Sequence, residues 1–265
     1  MQKDNKAMAL QGETASNSVV FLYKGQHRGQ VPSRTTHLII HSTVSKVGME
    51  LLDDDDEPWE SNMDEFQTFL RSDRNLGCFV LCHYLMEVTI QEGVRILGAM
   101  TFHMCSTLKR IAFPSSVEII GKYAFAGCRS LVEVELREGL RMISHMAFNS
   151  CTSLKQIALP WKVEMIGEPA FQLCDSLELV ELQQGLKVIG VSAFADCDSL
   201  TRISIPSSVE IIHESAFFRY RKLVDVELRQ GLQTIGERAF HLCISMSSLF
   251  IPASTALGLL ALLLV

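Results

Sequence analysis

Apolar residues along this chain fall on a period of 23. Phenylalanine stands at Phe79, Phe102, Phe125, Phe148, Phe171, Phe194, Phe217 and Phe240, each 23 residues after the last. Three residues further on come Cys82, Cys105, Cys128, Cys151, Cys174, Cys197, Tyr220 and Cys243. An apolar triplet at i, i+3, i+5 follows, as in Leu131-Val134-Leu136 and Leu200-Ile203-Ile205. Its last two members are separated by one residue, which predicts a short strand with one buried face. A second apolar set, for example Val117 and Ile120, leads to Gly121, Ala124 and the next Phe. A fixed period of this length predicts stacked supersecondary units. One unit alone cannot bury its Phe, Cys, Leu and Ile. Parallel stacking buries each as a continuous column, with strands about 4.8 Å apart.

Two further columns mark the turns. Gly98, Gly121, Gly167, Gly190 and Gly236 share the period and predict a corner where glycine accepts an unusual backbone angle. Pro114, Pro160, Pro206 and Pro252 recur every 46 residues just after the strand, and Gly93, Gly139, Gly185 and Gly231 fill the intervening repeats. The duplicated unit is therefore read as a pair of repeats. Proline turns the chain by fixing φ and glycine by relaxing it.

The run Leu154-Lys155-Gln156-Ile157-Ala158-Leu159-Pro160, continued by Ile166-Gly167 and Ala170-Phe171-Gln172-Leu173-Cys174, resembles the BspA-type leucine-rich repeat. The resemblance covers residues 79–252 and implies a leucine-rich-repeat solenoid: a curved parallel β-solenoid of short strands with turn or helical segments and no catalysis. Relatives of this type include bacterial surface proteins and intracellular sets in protists, with protein recognition as their usual inferred role. An earlier partial copy, Leu38-Ile39-Ile40-His41-Ser42-Thr43-Val44 with Val47-Gly48, fits the register of Ile111 to Gly121.

The remaining segments break the period. Residues 1–18 are polar and expected to be disordered. Residues 19–48 are expected to form an N-terminal cap, with an apolar strand over Val19 to Tyr23, and the partial repeat. Residues 49–78 form an insertion that opens on the acidic run Asp53 to Glu57. Trp59, Met63, Phe66 and Leu70 then recur at helical spacing behind Pro58, which predicts an amphipathic helix over 58–71. Its two readings are a helix folded back on the solenoid and a partner-docking helix. Residues 253–265 end in the apolar run Ala256 to Val265, read either as a cap or as a membrane contact.

Composition and charge narrow the function. The net charge is −6, and residues 50–74 alone hold ten acids against Arg71 and Arg74, so the rest is near neutral. No basic stripe marks a phosphate-binding face, which argues against nucleic acid. The N-terminus has no apolar leader and no Asn-x-Ser/Thr acceptor occurs, so a cytoplasmic protein with reduced thiols is expected, with membrane association through the C-terminus as the alternative. All eight cysteines lie in the repeat register and are read as small buried hydrophobes. No Cys-x-x-Cys pair, metal-ligand His pair, phosphate-binding Gly loop or nucleophile motif is present, so neither cofactor nor metal nor catalysis is expected.

The functional lead is the outward side of the strands. One row runs Glu87, Arg110, Glu133, Gln156, Leu179, Arg202, Asp225, Ser248; a second runs Thr89, Ala112, Glu135, Ala158, Glu181, Ser204, Glu227, Phe250. The candidate partner-binding residues are Arg110, Glu133, Glu135, Glu181, Arg202, Asp225 and Glu227, with Glu135, Glu181 and Glu227 as an acidic ladder for a basic segment. The expected function is a monomeric, non-catalytic recognition or scaffold module for a protein partner. The alternative is a membrane-tethered surface or structural protein.

Overall fold

The computed structural model describes residues 19–24, 32, 34–48, 79–247, 249–253, 255–259 and 261–262. The expectations for residues 1–18, for the helix over 58–71 and for Cys78 lie outside the described residues.

Each 23-residue unit forms one rung of a parallel β-solenoid, and each rung has three sides. The first side is a ladder of longer strands: Val20–Tyr23, His37–Ile40, Glu87–Ile90, Arg110–Ala112 and Glu133–Glu135, then Gln156–Ala158 with Leu179–Glu181, then Arg202–Ile205 with Asp225–Leu228. Its register is set by the period, Glu87 facing Arg110 and Arg110 facing Glu133. Alternation is clean: in Arg110–Ala112 only Ile111 is buried, and in Glu133–Glu135 only Val134. The second side is an unbroken ladder of two-residue strands from Lys46–Val47 through Ile96–Leu97 and Ile119–Ile120 to Thr234–Ile235 and Ala256–Leu257.

The partial copy near the N-terminus is a rung. His37–Ile40 pairs with Glu87–Ile90 and Lys46–Val47 with Ile96–Leu97, so the stacking continues across the insertion. Val20–Tyr23 adds a further parallel strand beside His37–Ile40, and Tyr23 packs edge-on against Phe79 at 5.3 Å.

The third side contains no helix among the described residues, which corrects the helical alternative for these segments. It is a wall of turns in which left-handed residues recur two before and two after each Phe. Met100, Tyr123, Met146, Ser192, Ser215 and Arg238 form one column of positive φ; Leu81, Met104, Gly127, Ser150, Leu173, Asp196, Arg219 and Leu242 form the other. Pro169 interrupts the first column, since its φ is locked negative and it has no N–H. Left-handed backbone costs a non-glycine residue about 1–2 kcal/mol. The return is a hydrogen-bond ladder: Met100, Phe102 and Met104 donate to the carbonyls of Lys122, Ala124 and Ala126 on the next rung at 2.7–2.8 Å. The intervening N–H groups of His103 and Cys105 turn inward to Met100 and Phe102 of their own rung. This alternation rules out a helix, whose N–H groups all bond within the segment.

The corner glycines serve a different purpose from the one their spacing suggests. A Cβ on Gly121 would lie 2.6 Å from the carbonyl carbon of Gly98 on the preceding rung, so the column is set by close backbone approach. Positive φ belongs instead to the strand-exit turn, as at Gly185 (φ +125°), where a Cβ would also strike the Trp161 carbonyl.

The core is a set of columns. From Phe102 to Phe240 every phenylalanine of the series is fully buried, with rings stacked at 5.1–5.7 Å and nearly parallel from Phe125 onward. Beside it runs the thiol column. Cys105, Cys128, Cys151, Cys174, Cys197 and Cys243 each donate S–H to the Phe carbonyl 26 residues earlier, at 2.9–3.4 Å. Burial pushes the thiols of Cys105, Cys128, Cys151, Cys174 and Cys243 up, Cys128 to about 12, so these stay neutral. Cys82, at the end of the column, is only half-buried, and its neighbour Cys105 holds its thiol below the usual range. Tyr220 fills one slot of the column with a fully buried side chain.

Outside the second ladder, charge alternates from rung to rung at Arg95, Glu118, Arg141, Glu164, Lys187 and Glu210. Arg95 binds Glu118 at 2.8 Å and Gln233 donates to Glu210 at 3.2 Å, stitching neighbours by about 0.2–1 kcal/mol each.

Two stability effects follow. Phe171→Ala empties the centre of the ring stack and is expected to cost about 3–5 kcal/mol in urea unfolding; an unchanged midpoint would contradict the stacked core. His103 is buried, and that burial lowers its pKa to about 4, partly offset by its hydrogen bond with the Tyr123 backbone. The unfolded chain takes up a proton near pH 6.5 that the folded chain refuses. Stability is therefore full above pH 6.5 and falls as pH drops toward 4, by on the order of 3 kcal/mol in the limit. His103→Gln is expected to flatten that part of the pH–stability curve.

Candidate functional site

The outward side of the long-strand ladder is the surface on which side chains are free of the core. Period two sends Ile111, Val134, Ile157, Val180, Ile203 and Val226 inward and the residues on either side of each outward. Arg110, Glu133, Glu135, Glu181, Arg202, Asp225 and Glu227 are all exposed there, in two straight rows. Register places Arg110 directly beside Glu133 and Arg202 beside Asp225.

The seven residues differ in what they touch. Glu135 is held by Arg137 at 3.1 Å and Glu227 by Arg229 at 3.3 Å. Glu227 also accepts a 2.8 Å hydrogen bond from Ser204; that hydroxyl first, then Arg229, keeps its carboxyl below the usual range. The side chain of Glu181, the middle member of the expected acidic ladder, makes no ion pair or hydrogen bond among the described residues, and neither do those of Arg110, Glu133, Arg202 and Asp225. Exposed pairs such as Glu135–Arg137 contribute little to stability, but they leave those carboxylates partly neutralised. The acidic ladder is thus one open carboxylate between two compensated ones.

Arg137 and Arg229 extend the site beyond the residues that the strand pattern singled out. They continue the period-two alternation one step past the strand, in a third row where polar Arg137, Gln183 and Arg229 alternate with Pro114, Pro160 and Pro206. The 46-residue proline period carried that signal, since it left every second position of the row open for a long side chain.

Two grooves indent this face. The larger, about 590 Å³, is lined by Glu87, Arg110, Glu133, Glu135 and Arg137 above a floor of Val88, Ile111 and Phe113. At its upper rim Glu92 caps the turn, accepting from the Ser115 and Ser116 amides at 3.0 and 3.1 Å. The smaller, about 270 Å³, shares Glu135 and Arg137 and continues to Gln156, Ala158, Leu179 and Glu181. The charged walls and shallow apolar floor suit polar contact with another surface.

The family model for the BspA type leucine rich repeat region matches six copies, over residues 75–201 and 143–258. No curated protein matches the chain. Among solved structures, a leucine-rich repeat protein of T. pallidum is 36% identical, with a TM-score of 0.54 over 58% of this chain and 72% of that one. A leucine-rich repeat protein of Eubacterium ventriosum, 18% identical, aligns with a TM-score of 0.62 over 87% of this chain and 59% of its own. The pneumococcal vaccine antigen PcpA, 19% identical, aligns with a TM-score of 0.50 over 91% of this chain and 62% of its own. The last two likenesses are of fold alone, and the chain spans about three fifths of those proteins.

Proposed function

From the membership of this chain in the BspA-type leucine-rich repeat family, we propose that it is a non-catalytic recognition module that binds a protein partner through the outward face of its long-strand ladder. The observation that carries this reading is the set of uncompensated charges. Arg110, Glu133, Glu181, Arg202 and Asp225 stand on a hydrogen-bonded sheet whose other side is the core, which fixes their spacing while their side chains make no ion pair among the described residues. A rigid array of this kind gives a partner specificity and a fast encounter rather than bulk affinity. The exposed Leu179 and Ala158 between the two charged ends supply the apolar contact that a docked partner would dehydrate.

Reversing Glu181, Arg110 and Arg202 together (Glu181→Lys, Arg110→Glu, Arg202→Glu) is expected to leave the circular dichroism melt within about 1 °C. It is also expected to remove, by tenfold or more, the partners recovered in proximity labelling of the native cell. Recovery should fall likewise as salt screens the face. An unchanged set of partners would end this reading.

A second reading, contact of residues 256–265 with a membrane, is supported by apolar exposure at the same end of the solenoid: Leu259 is 71% and Phe250 77% exposed. No helix among the described residues is long and apolar enough to cross a membrane. Carbonate extraction checks it: pelleting of the full chain, lost on removal of residues 253–265, is the result that this reading requires.

A further inference from the structure

The grooved face carries the same charge arrangement twice. Arg110 faces Glu133 across one rung step, and the strand of Glu133 continues to Glu135 and Arg137, which pair at 3.1 Å. Arg202 faces Asp225 in the same register, and that strand continues to Glu227 and Arg229, which pair at 3.3 Å. The backbone around them is matched as well. Pro114-Ser115-Ser116-Val117 and Pro206-Ser207-Ser208-Val209 make the same exit turn, in which Ser116 accepts from Gly93 N–H at 3.0 Å and Ser208 from Gly185 N–H at 3.1 Å. Each copy therefore offers one open guanidinium and, one rung on, one open carboxylate.

The copies are four rungs apart. Rung spacing along the ring stack is 5.1–5.3 Å, so the separation is about 20 Å. The rungs between them differ in kind: their first-row positions are Gln156 and Leu179, and Ala158 lies beside them. A partly apolar saddle, with the single carboxylate of Glu181 beside Leu179, thus joins two dipolar ends.

That spacing selects the shape of the occupant. An α-helix advances 5.4 Å per turn, so a helix lying along the solenoid places one turn over each rung. An extended strand repeats its side chains at about 6.6–6.8 Å and drifts out of step within two rungs. We propose, building on the recognition reading above, that the face is a bivalent seat for an amphipathic helix of a protein partner. That helix carries an acidic residue and, four residues later, a basic one, then two apolar turns, then the same acid–base pair fourteen residues after the first. The acids meet Arg110 and Arg202, the bases meet Glu133 and Asp225, and the apolar turns cover Leu179 and Ala158. Because the arginine precedes the acid at both ends, the acid-first order fixes the helix parallel to the direction in which the repeats succeed one another.

The test uses three synthetic helical peptides and the full chain, by fluorescence anisotropy at low salt. One has both Glu–Lys pairs with leucines between. One has a single pair. One has the second pair moved two residues onward, which turns it to the far side of the helix. The two-pair peptide is expected to bind at least tenfold more tightly than either control. Arg110→Glu with Glu133→Lys, or Arg202→Glu with Asp225→Lys, is each expected to reduce it to the one-pair affinity. Equal binding by all three peptides, no binding by the two-pair peptide, or sensitivity to only one of the two reversals would overturn the doubled seat. Partner recovery that remains sensitive to Glu181, Arg110 and Arg202 in the same event would leave the recognition reading standing. Recovery insensitive to them would remove both.

Discussion

The architecture rests on one constraint: every group that one rung cannot satisfy must find its partner at the same place on the next. Phe171 is the simplest case. Its ring lies between Phe148 and Phe194 at 5.3 and 5.2 Å, and each contact is offset stacking worth about 0.5–1.5 kcal/mol beyond burial. The backbone obeys the same rule through two β-ladders and the turn wall, and the thiols through their bonds to Phe carbonyls one rung back. Since all of these interactions are between neighbours, the energy of the molecule is close to a sum over adjacent pairs. A defect such as Tyr220 is then borne locally, and the ring stack carries on through Phe217 and Phe240 at 5.2 Å.

That division of labour frees the outward positions. A side chain such as Glu181 has no part in the stacking, so its identity is not dictated by the fold, and the sheet behind it holds it in place. The stitching charges outside the second ladder show the contrasting case. Arg95 and Glu118 satisfy each other, whereas Arg110 and Glu133 occupy equally adjacent rungs and make no ion pair. Neighbouring rungs thus close Arg95 on Glu118 at one face and leave Arg110 and Glu133 apart at another.

Much of this was legible in the sequence because the columns are written in residues with narrow roles. Phe every 23 positions, with Leu-x-x-Val-x-Leu behind it, could hardly bury itself otherwise, and the first partial rung at Leu38 to Val47 could be aligned by the same marks. The left-handed columns were not legible. Leu173, Asp196 and Arg219 have nothing in common as side chains, and what they share is a backbone angle imposed by the wall. The corner glycines misled for a related reason: glycine answers both to unusual φ and to crowding, and only the approach of Gly98 to Gly121 tells which applies. In the candidate site the rows were readable from alternation. The capture of Glu135 by Arg137 was not, because it depends on how far past the strand the alternation persists.

The turn wall has a further consequence. Its cross-rung N–H groups all point toward the later rung and the carbonyls that receive them toward the earlier one, as with Phe102 to Ala124 and Phe125 to Ala147. The wall is therefore polar in the manner of a zip: forward-facing hooks, backward-facing eyes. A unit copied in tandem meshes at both of its edges, whereas one introduced upside down would set hook against hook. Same-sense duplication keeps every edge meshed as such a molecule lengthens, and it would carry an arrangement such as Arg110–Glu133 forward to Arg202–Asp225 in identical orientation.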